Sequence, residues 1–195
     1  MKIKIPNILT IGRIIIVPVF VFSFFIPGIV GDLVPFFLFI IASFTDFLDG
    51  LLARLYKEES KLGELLDPIA DKILVASALV LLVMNGIIKN YEVIAAIIIL
   101  TREILISGLR EFLAKKRDVS VPVSGLAKFK TLIQMLAIAM LLTGETGNKI
   151  INFQDYNAQI IGIVLLWLAA ALTVYTGYDY LIKGIDSAVS EDNEK

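Results

Sequence analysis

Four aspartates, two glycines and an arginine share one stretch of the chain: Asp46, Asp49, Gly50 and Arg54, then Gly63, Asp67 and Asp71. On an α-helix Asp46, Asp49 and Gly50 fall on one face, and Arg54 returns to about the same face two turns later. Gly63, Asp67 and Asp71 recur every fourth residue and form a second stripe. Two acidic stripes on neighbouring helices with a short connector can converge. Four carboxylates brought together would repel, and some would stay protonated at neutral pH unless cations lay between them. All-oxygen ligation selects a hard divalent ion, Mg²⁺ or Mn²⁺ first and Ca²⁺ after them. Glycines on packed helix faces let a bulky group, such as a nucleotide or its phosphates, approach the backbone.

The elements that must position these residues are apolar. The chain has 195 residues, 57% of them hydrophobic. That composition excludes an ordinary soluble domain and implies an all-α polytopic membrane protein. The sequence contains no cysteine and no histidine. Disulfide, iron–sulfur and thiol chemistry are therefore excluded, together with the usual general base and the usual zinc ligand. Proton transfer falls to Asp, Glu, Lys or Tyr.

Six apolar segments approach the ~20 residues that cross ~30 Å of hydrocarbon. They are predicted near 8–26, 32–55, 70–88, 91–113, 126–143 and 157–183. The first follows Lys2 and Lys4 like a signal peptide. It is long, contains Arg13 and lacks a small-x-small cleavage pattern, so it reads as a retained helix. Residues 1–185 are expected to form a single six-helix domain, and the acidic tail 186–195 to be disordered. The 27–31 turn lacks Lys and Arg, the 86–91 turn has only Lys89, and the 144–156 loop only Lys149. The other basic residues lie on the opposite side. The positive-inside rule then puts both termini and the aspartates in the cytoplasm.

Further polar residues lie toward the cytoplasmic ends of the apolar segments: Asn7, Thr10 and Arg13 on the first helix, Arg102, Glu103, Ser107 and Arg110 on the fourth, and Lys128 and Lys130 on the fifth. An ionisable group deep in a span costs about 2.5–3.5 kcal/mol on insertion scales, so each is a functional candidate. Arg102, two turns before Arg110, is poorly placed to snorkel and reads as a substrate or salt-bridge residue, with Glu103 as a simple counter-ion. Lys2, Lys4, Lys57, Lys61, Lys115, Lys116 and Arg117 read most simply as headgroup anchors. Trp167, Tyr175, Tyr178 and Tyr180 read as interface or packing residues.

The pattern D-x2-D-G-x2-A-R-x8-G-x3-D-x3-D, running from Asp46 through Ala53 to Asp71, resembles the signature of the CDP-alcohol phosphotransferase family. Every defining position is present, and the resemblance covers essentially the whole chain. It implies a six-helix membrane bundle, a homodimer, and an active site open to the cytoplasm of a bacterial plasma membrane. It also implies that Asp46, Asp49 and Asp67 bind two divalent cations, Mg²⁺ or Mn²⁺. Asp71 would complete the metal site and serve as catalytic base, while Asp49, Gly50, Ala53, Arg54 and Gly63 would receive the cytidine nucleotide.

Within the family, Pro6-Asn7 with Thr10 and Arg13, Thr101-Arg102-Glu103 leading to Arg110-Glu111, and Gly125 to Thr131 with Gln134 resemble members that use glycerol 3-phosphate. The expected reaction transfers a phosphatidyl group from CDP-diacylglycerol to glycerol 3-phosphate. Thr10, Arg102, Arg110, Lys128 and Lys130 are candidates for the acceptor phosphate, with Asn7 and Arg13 in support. Membrane lipids are expected partners, and nucleic acid is not. Competing acceptors are serine, inositol phosphate and phosphatidylglycerol. A divalent-cation transporter is a more distant alternative, weakened by the clustering of the carboxylates at one level and by the lack of an internal repeat.

Overall fold

A computed structural model describes the backbone of residues 5–56, 61–115, 125–150, 152–153 and 156–192. Side chains are described for residues 12, 14–45, 69–70, 72–111, 125–150, 157–178 and 180–182. Among the described residues the chain is helical apart from one short ladder. The long helices are α1 (Ile5–Ser23), α2 (Ile29–Tyr56), α3 (Lys61–Met84), α4 (Glu92–Lys115) and α5 (Gly125–Leu142). A short helix α6 (Gly144–Ile150) and two-residue strands β1 (Asn152–Phe153) and β2 (Tyr156–Asn157) precede the last helix, α7 (Ala158–Asp192). Two helices, Gly125–Leu142 and Ala158–Ile182, are long and apolar enough to cross a bilayer, and Ile14–Ser23, Ile29–Thr45 and Lys72–Met84 form shorter apolar helices.

Helix ends follow local chemistry. At the end of α1 the Ser23 hydroxyl turns back and donates to the Phe20 carbonyl at 2.6 Å. The Lys89 amide donates to the Glu92 carboxylate at 3.0 Å at the start of α4. In the turn before it, Asn90 has φ of 52°, a left-handed conformation that asparagine tolerates.

The fold divides into two compact units, one containing residues 1–88 and 138–162 and the other residues 89–137 and 163–195. In the first, α1 packs against α2 and α3, and α2 also meets α3 and α6. Phe20, Phe39, Leu74, Leu79 and Leu82 are fully buried, with the Phe20 and Phe39 rings 6.4 Å apart. Gln159 ties the start of α7 to this unit, its amide nitrogen donating to the Ile87 carbonyl at 3.2 Å. In the second unit Ala95, Ala96, Ile99, Ile106, Ile133, Leu166, Ala169 and Ala170 are buried. Ala95, Ala96, Ala169 and Ala170 are small residues of the kind enriched at helix contacts in membrane bundles.

Three expectations from the sequence need correction. The segment 144–156, read as a loop, contains α6 and one strand of an antiparallel ladder pairing Asn152 with Asn157 and Phe153 with Tyr156. Helix α3 begins at Lys61, well before the predicted 70, because Lys61, Glu64 and Asp67 interrupt the apolar run without ending the helix and hydropathy registers only the apolar part. Helix α7 continues to Asp192, into the tail expected to be disordered. Ile185–Asp192 holds no glycine or proline to stop it.

Helix α6 is anchored from α2. One oxygen of the Asp32 carboxylate accepts from the Thr146 amide at 3.0 Å and from the Thr146 hydroxyl at 2.7 Å. Gly144 has φ of 56°, and a Cβ there would lie 2.7 Å from Asp32 Oδ1, so side-chain space and backbone conformation both require glycine. Asp32→Ala is expected to destabilise the protein by about 1–3 kcal/mol, the cost of stranding part-buried donors. Thermal unfolding in detergent checks this, with Asp32→Asn, which keeps an acceptor oxygen, expected to lose less.

Candidate functional site

The backbone places the acidic stretch on two consecutive helices in contact with each other. Asp46, Asp49, Gly50, Ala53 and Arg54 lie in the last turns of α2, and Gly63, Asp67 and Asp71 in the first turns of α3. Helical spacing therefore holds through both halves of the pattern. The side chains of these residues lie outside the described residues, as do those of Asn7, Thr10 and Arg13 on α1. As a donor set, four carboxylates on two touching helices suit hard divalent cations.

The basic candidates are described, and they fall into two kinds. Lys130, in the second turn of α5, is 4% exposed and forms an ion pair with the Glu103 carboxylate of α4. Arg102 Nη1 lies 3.5 Å from the same carboxylate oxygen. Glu103 thus joins two cations across two helices, and it remains 21% exposed. Lys128, two residues before Lys130, is exposed. Two residues are about 200° apart around a helix, so the two lysines face nearly opposite ways.

Arg102 is held from α7 as well. Its Nη2 donates to the Thr176 hydroxyl oxygen at 3.4 Å. That hydroxyl spends its own proton on the Leu172 carbonyl at 2.8 Å and so presents a lone pair to the guanidinium. A Cβ at Gly177 would lie 3.0 Å from Arg102 Cγ and 3.3 Å from its Nε, so the arginine stem lies against bare helix backbone. Arg102 Nε, Gln134 Oε1 and Thr173 Oγ1 are buried without a hydrogen-bond partner among the described residues. Two turns along α4, the exposed Arg110 places its guanidinium carbon 5.7 Å from the Tyr180 ring centroid. Such a contact contributes about 0.5–1 kcal/mol at an exposed site. The Ser107 hydroxyl donates within its own helix, to the Glu103 carbonyl at 2.6 Å.

The structure therefore brings Arg102 and Lys130 together through Glu103, and sets Arg110 apart on Tyr180. Sequence reasoning treated Glu103 as a counter-ion to Arg102 alone and missed Lys130 as its closest partner. It also missed Thr176, Gly177 and the cation–π role of Tyr180. Thr173, Thr176 and Gly177, spaced three and four apart in an otherwise apolar helix, were the available signal.

A family model described as CDP-alcohol phosphatidyltransferase matches residues 3–175. A protein of Rickettsia felis named CDP-diacylglycerol–glycerol-3-phosphate 3-phosphatidyltransferase is 44% identical, with 91% of this chain and 93% of that protein covered. A protein of the same name from Haemophilus influenzae is 41% identical, with 93% of each covered. Among solved structures, phosphatidylinositol phosphate synthase of Mycobacterium tuberculosis superposes with a TM-score of 0.59 at 20% identity, covering 93% of this chain and 89% of that one. That likeness concerns the fold.

Removing the ammonium of Lys130 while Glu103 stays is expected to cost about 3 kcal/mol, near the low end for breaking a buried pair, since Glu103 keeps Arg102. Lys130→Ala should therefore unfold at lower temperature or denaturant than Lys128→Ala. Denaturation of the two variants in detergent checks the difference.

Proposed function

The chain belongs to the CDP-alcohol phosphatidyltransferase family, and from that premise we propose that it transfers the phosphatidyl group of CDP-diacylglycerol to the 1-hydroxyl of sn-glycerol 3-phosphate. The products are phosphatidylglycerophosphate and CMP, so the reaction is a step of phospholipid synthesis. The observation that carries this reading is the complete aspartate–glycine pattern on the adjoining ends of α2 and α3. Identity to named relatives over nine-tenths of the chain supports the acceptor.

In this reading Asp46, Asp49, Asp67 and Asp71 hold two divalent cations, Mg²⁺ or Mn²⁺. Bound there, they supply charge neutralisation at the pyrophosphate and acidity to the attacking hydroxyl. Asp49, Gly50, Ala53, Arg54 and Gly63 receive the cytidine nucleotide, the glycines leaving room for it against the helix backbone. Asp71 takes the proton of the acceptor hydroxyl, whose oxygen attacks the β-phosphorus as the bond to CMP breaks. The transfer is direct. The value of Asp71 as a base lies in placement, since a carboxylate beside a metal is weakly basic in bulk terms. The acceptor phosphate is bound by Arg102 and Arg110, with Lys128, Lys130 and Thr10 as further candidates and Asn7 and Arg13 in support.

Six spans, with both termini and the active site cytoplasmic, draw support from the six long helices among the described residues, two of them long and apolar enough to cross a bilayer, and from the asymmetry of Lys and Arg between the connections. A homodimer in a bacterial plasma membrane, with CDP-diacylglycerol reaching the enzyme from the bilayer, completes the proposal.

Purified enzyme with CDP-diacylglycerol, Mg²⁺ and glycerol 3-phosphate should release CMP. Serine and inositol phosphate offered in its place should give little, and activity with serine alone would overturn the acceptor. Chelation should stop turnover and added Mg²⁺ restore it. Asp67→Ala and Asp71→Ala should abolish turnover while the protein stays folded. Arg110→Ala should raise KM for glycerol 3-phosphate about tenfold, equivalent to about 1.4 kcal/mol, with little change in the KM for CDP-diacylglycerol. An equal rise in both would mark Arg110 as structural.

A further inference from the structure

We infer that Glu103 is a positioning residue of the acceptor site: through Lys130 and Arg102 it fixes the Arg102 guanidinium so that the N–H groups left over on Nη1 and Nη2 are presented to an acceptor phosphate. The inference rests on the reading of the chain as a transferase to glycerol 3-phosphate. A counter-ion to Arg102 would need one contact. Glu103 has two, on different helices, and the nearer is to the almost fully buried Lys130.

Arg102 is restrained three ways. Nη1 meets Glu103, Nη2 meets Thr176, and the stem lies against the backbone at Gly177. A guanidinium so fixed is ordered before the substrate arrives, and the entropy of ordering it is not charged against binding. Each terminal nitrogen carries two N–H groups and has one partner, so an N–H on each remains for a phosphate oxygen, a strong acceptor, while Nε is buried against Gly177 and takes no part.

Glu103 also sets the charge of the group. Arg102 and Lys130 with one carboxylate sum to a single positive charge. Two cations without it would repel, and Arg102 would be free to leave its seat. The acceptor phosphate is thus met by a cation whose position, as well as its charge, is defined.

The test compares Glu103→Gln, Glu103→Asp and Gly177→Ala with the wild type, each purified and folded, in CMP-release kinetics with both substrates varied. Glu103→Gln keeps the size of the side chain and removes its charge. KM for glycerol 3-phosphate should rise about tenfold, with kcat and the KM for CDP-diacylglycerol within about twofold. Glu103→Asp should recover part of that loss. Gly177→Ala leaves every charge in place and should give a KM split in the same direction but smaller, because its Cβ crowds Arg102 Cγ and Nε. The inference is overturned if the Glu103→Gln and Gly177→Ala enzymes lose only thermal stability or active fraction, or if both KM values rise together. A wild-type enzyme that rejects glycerol 3-phosphate but turns over another alcohol defeats the acceptor assignment independently. The same split measured on that alcohol then decides for Glu103 if the alcohol bears a phosphate. A phosphate-free acceptor overturns the inference.

Discussion

An ammonium taken out of water must meet a negative charge or give up its proton. Lys130 is so placed, and much of the second unit follows from it. The ammonium lies on α5 and its carboxylate comes from α4. Glu103, once fixed, also attracts Arg102. Arg102 then needs a helix face without a side chain, which Gly177 provides, and an acceptor for its far nitrogen, which Thr176 provides. Three helices thus each contribute a polar group that would be poorly satisfied alone. Stability does not explain such a network. Apolar residues of similar volume in place of a buried ion pair are often neutral or stabilising by about 1–4 kcal/mol. What a charged group provides that an apolar one cannot is a fixed, directional donor, and that favours a binding role for the charges around Glu103.

The first unit meets a related demand with a milder solution. Helix α6 has seven residues, too few to be stable by itself. Its first turn has amides without intrahelical partners, and Asp32 accepts one of them together with the Thr146 hydroxyl. A carboxylate near a helix start is also favoured by the helix dipole. Here one acidic residue satisfies neutral donors, so no buried cation is required. Gly144 makes the approach of Asp32 possible by leaving out a side chain, much as Gly177 does for Arg102.

The sequence was most legible where one physical variable decides the outcome. Long apolar runs must be helical where the backbone cannot hydrogen-bond to water, so each long helix overlaps the segment hydropathy marked, though α3 is shifted to Lys61–Met84 from the predicted 70–88. Their extensions were less legible, because hydropathy falls where polar residues such as Lys61 and Glu64, or Asp186 and Glu191, are mixed in without ending the helix. Helix α6 was invisible, since its anchor Asp32 is 114 residues from Thr146 in the chain. The aspartate pattern was legible because its spacing is helical throughout, and the backbone of α2 and α3 keeps that spacing. Lys128 and Lys130 were treated alike from sequence. Their separation by about 200° already implied that at most one could be buried, but which one depended on Glu103, 27 residues earlier.

That distinction bears on which cations can serve a phosphate. A dianionic group needs N–H donors not already committed to a carboxylate. Lys130 directs its charge at Glu103, which suits it less well than the exposed Lys128 to direct contact with a phosphate. Arg102 has one partner at each terminal nitrogen, and each of those nitrogens carries a second N–H. Arg110 is exposed, with its guanidinium carbon 5.7 Å from the Tyr180 ring centroid. A guanidinium can offer a fork of N–H donors to two phosphate oxygens, a geometry an ammonium cannot offer. In the proposed reading the two arginines of α4 are therefore better fitted by chemistry to a phosphate, and the buried lysine to fixing the carboxylate beside one of them.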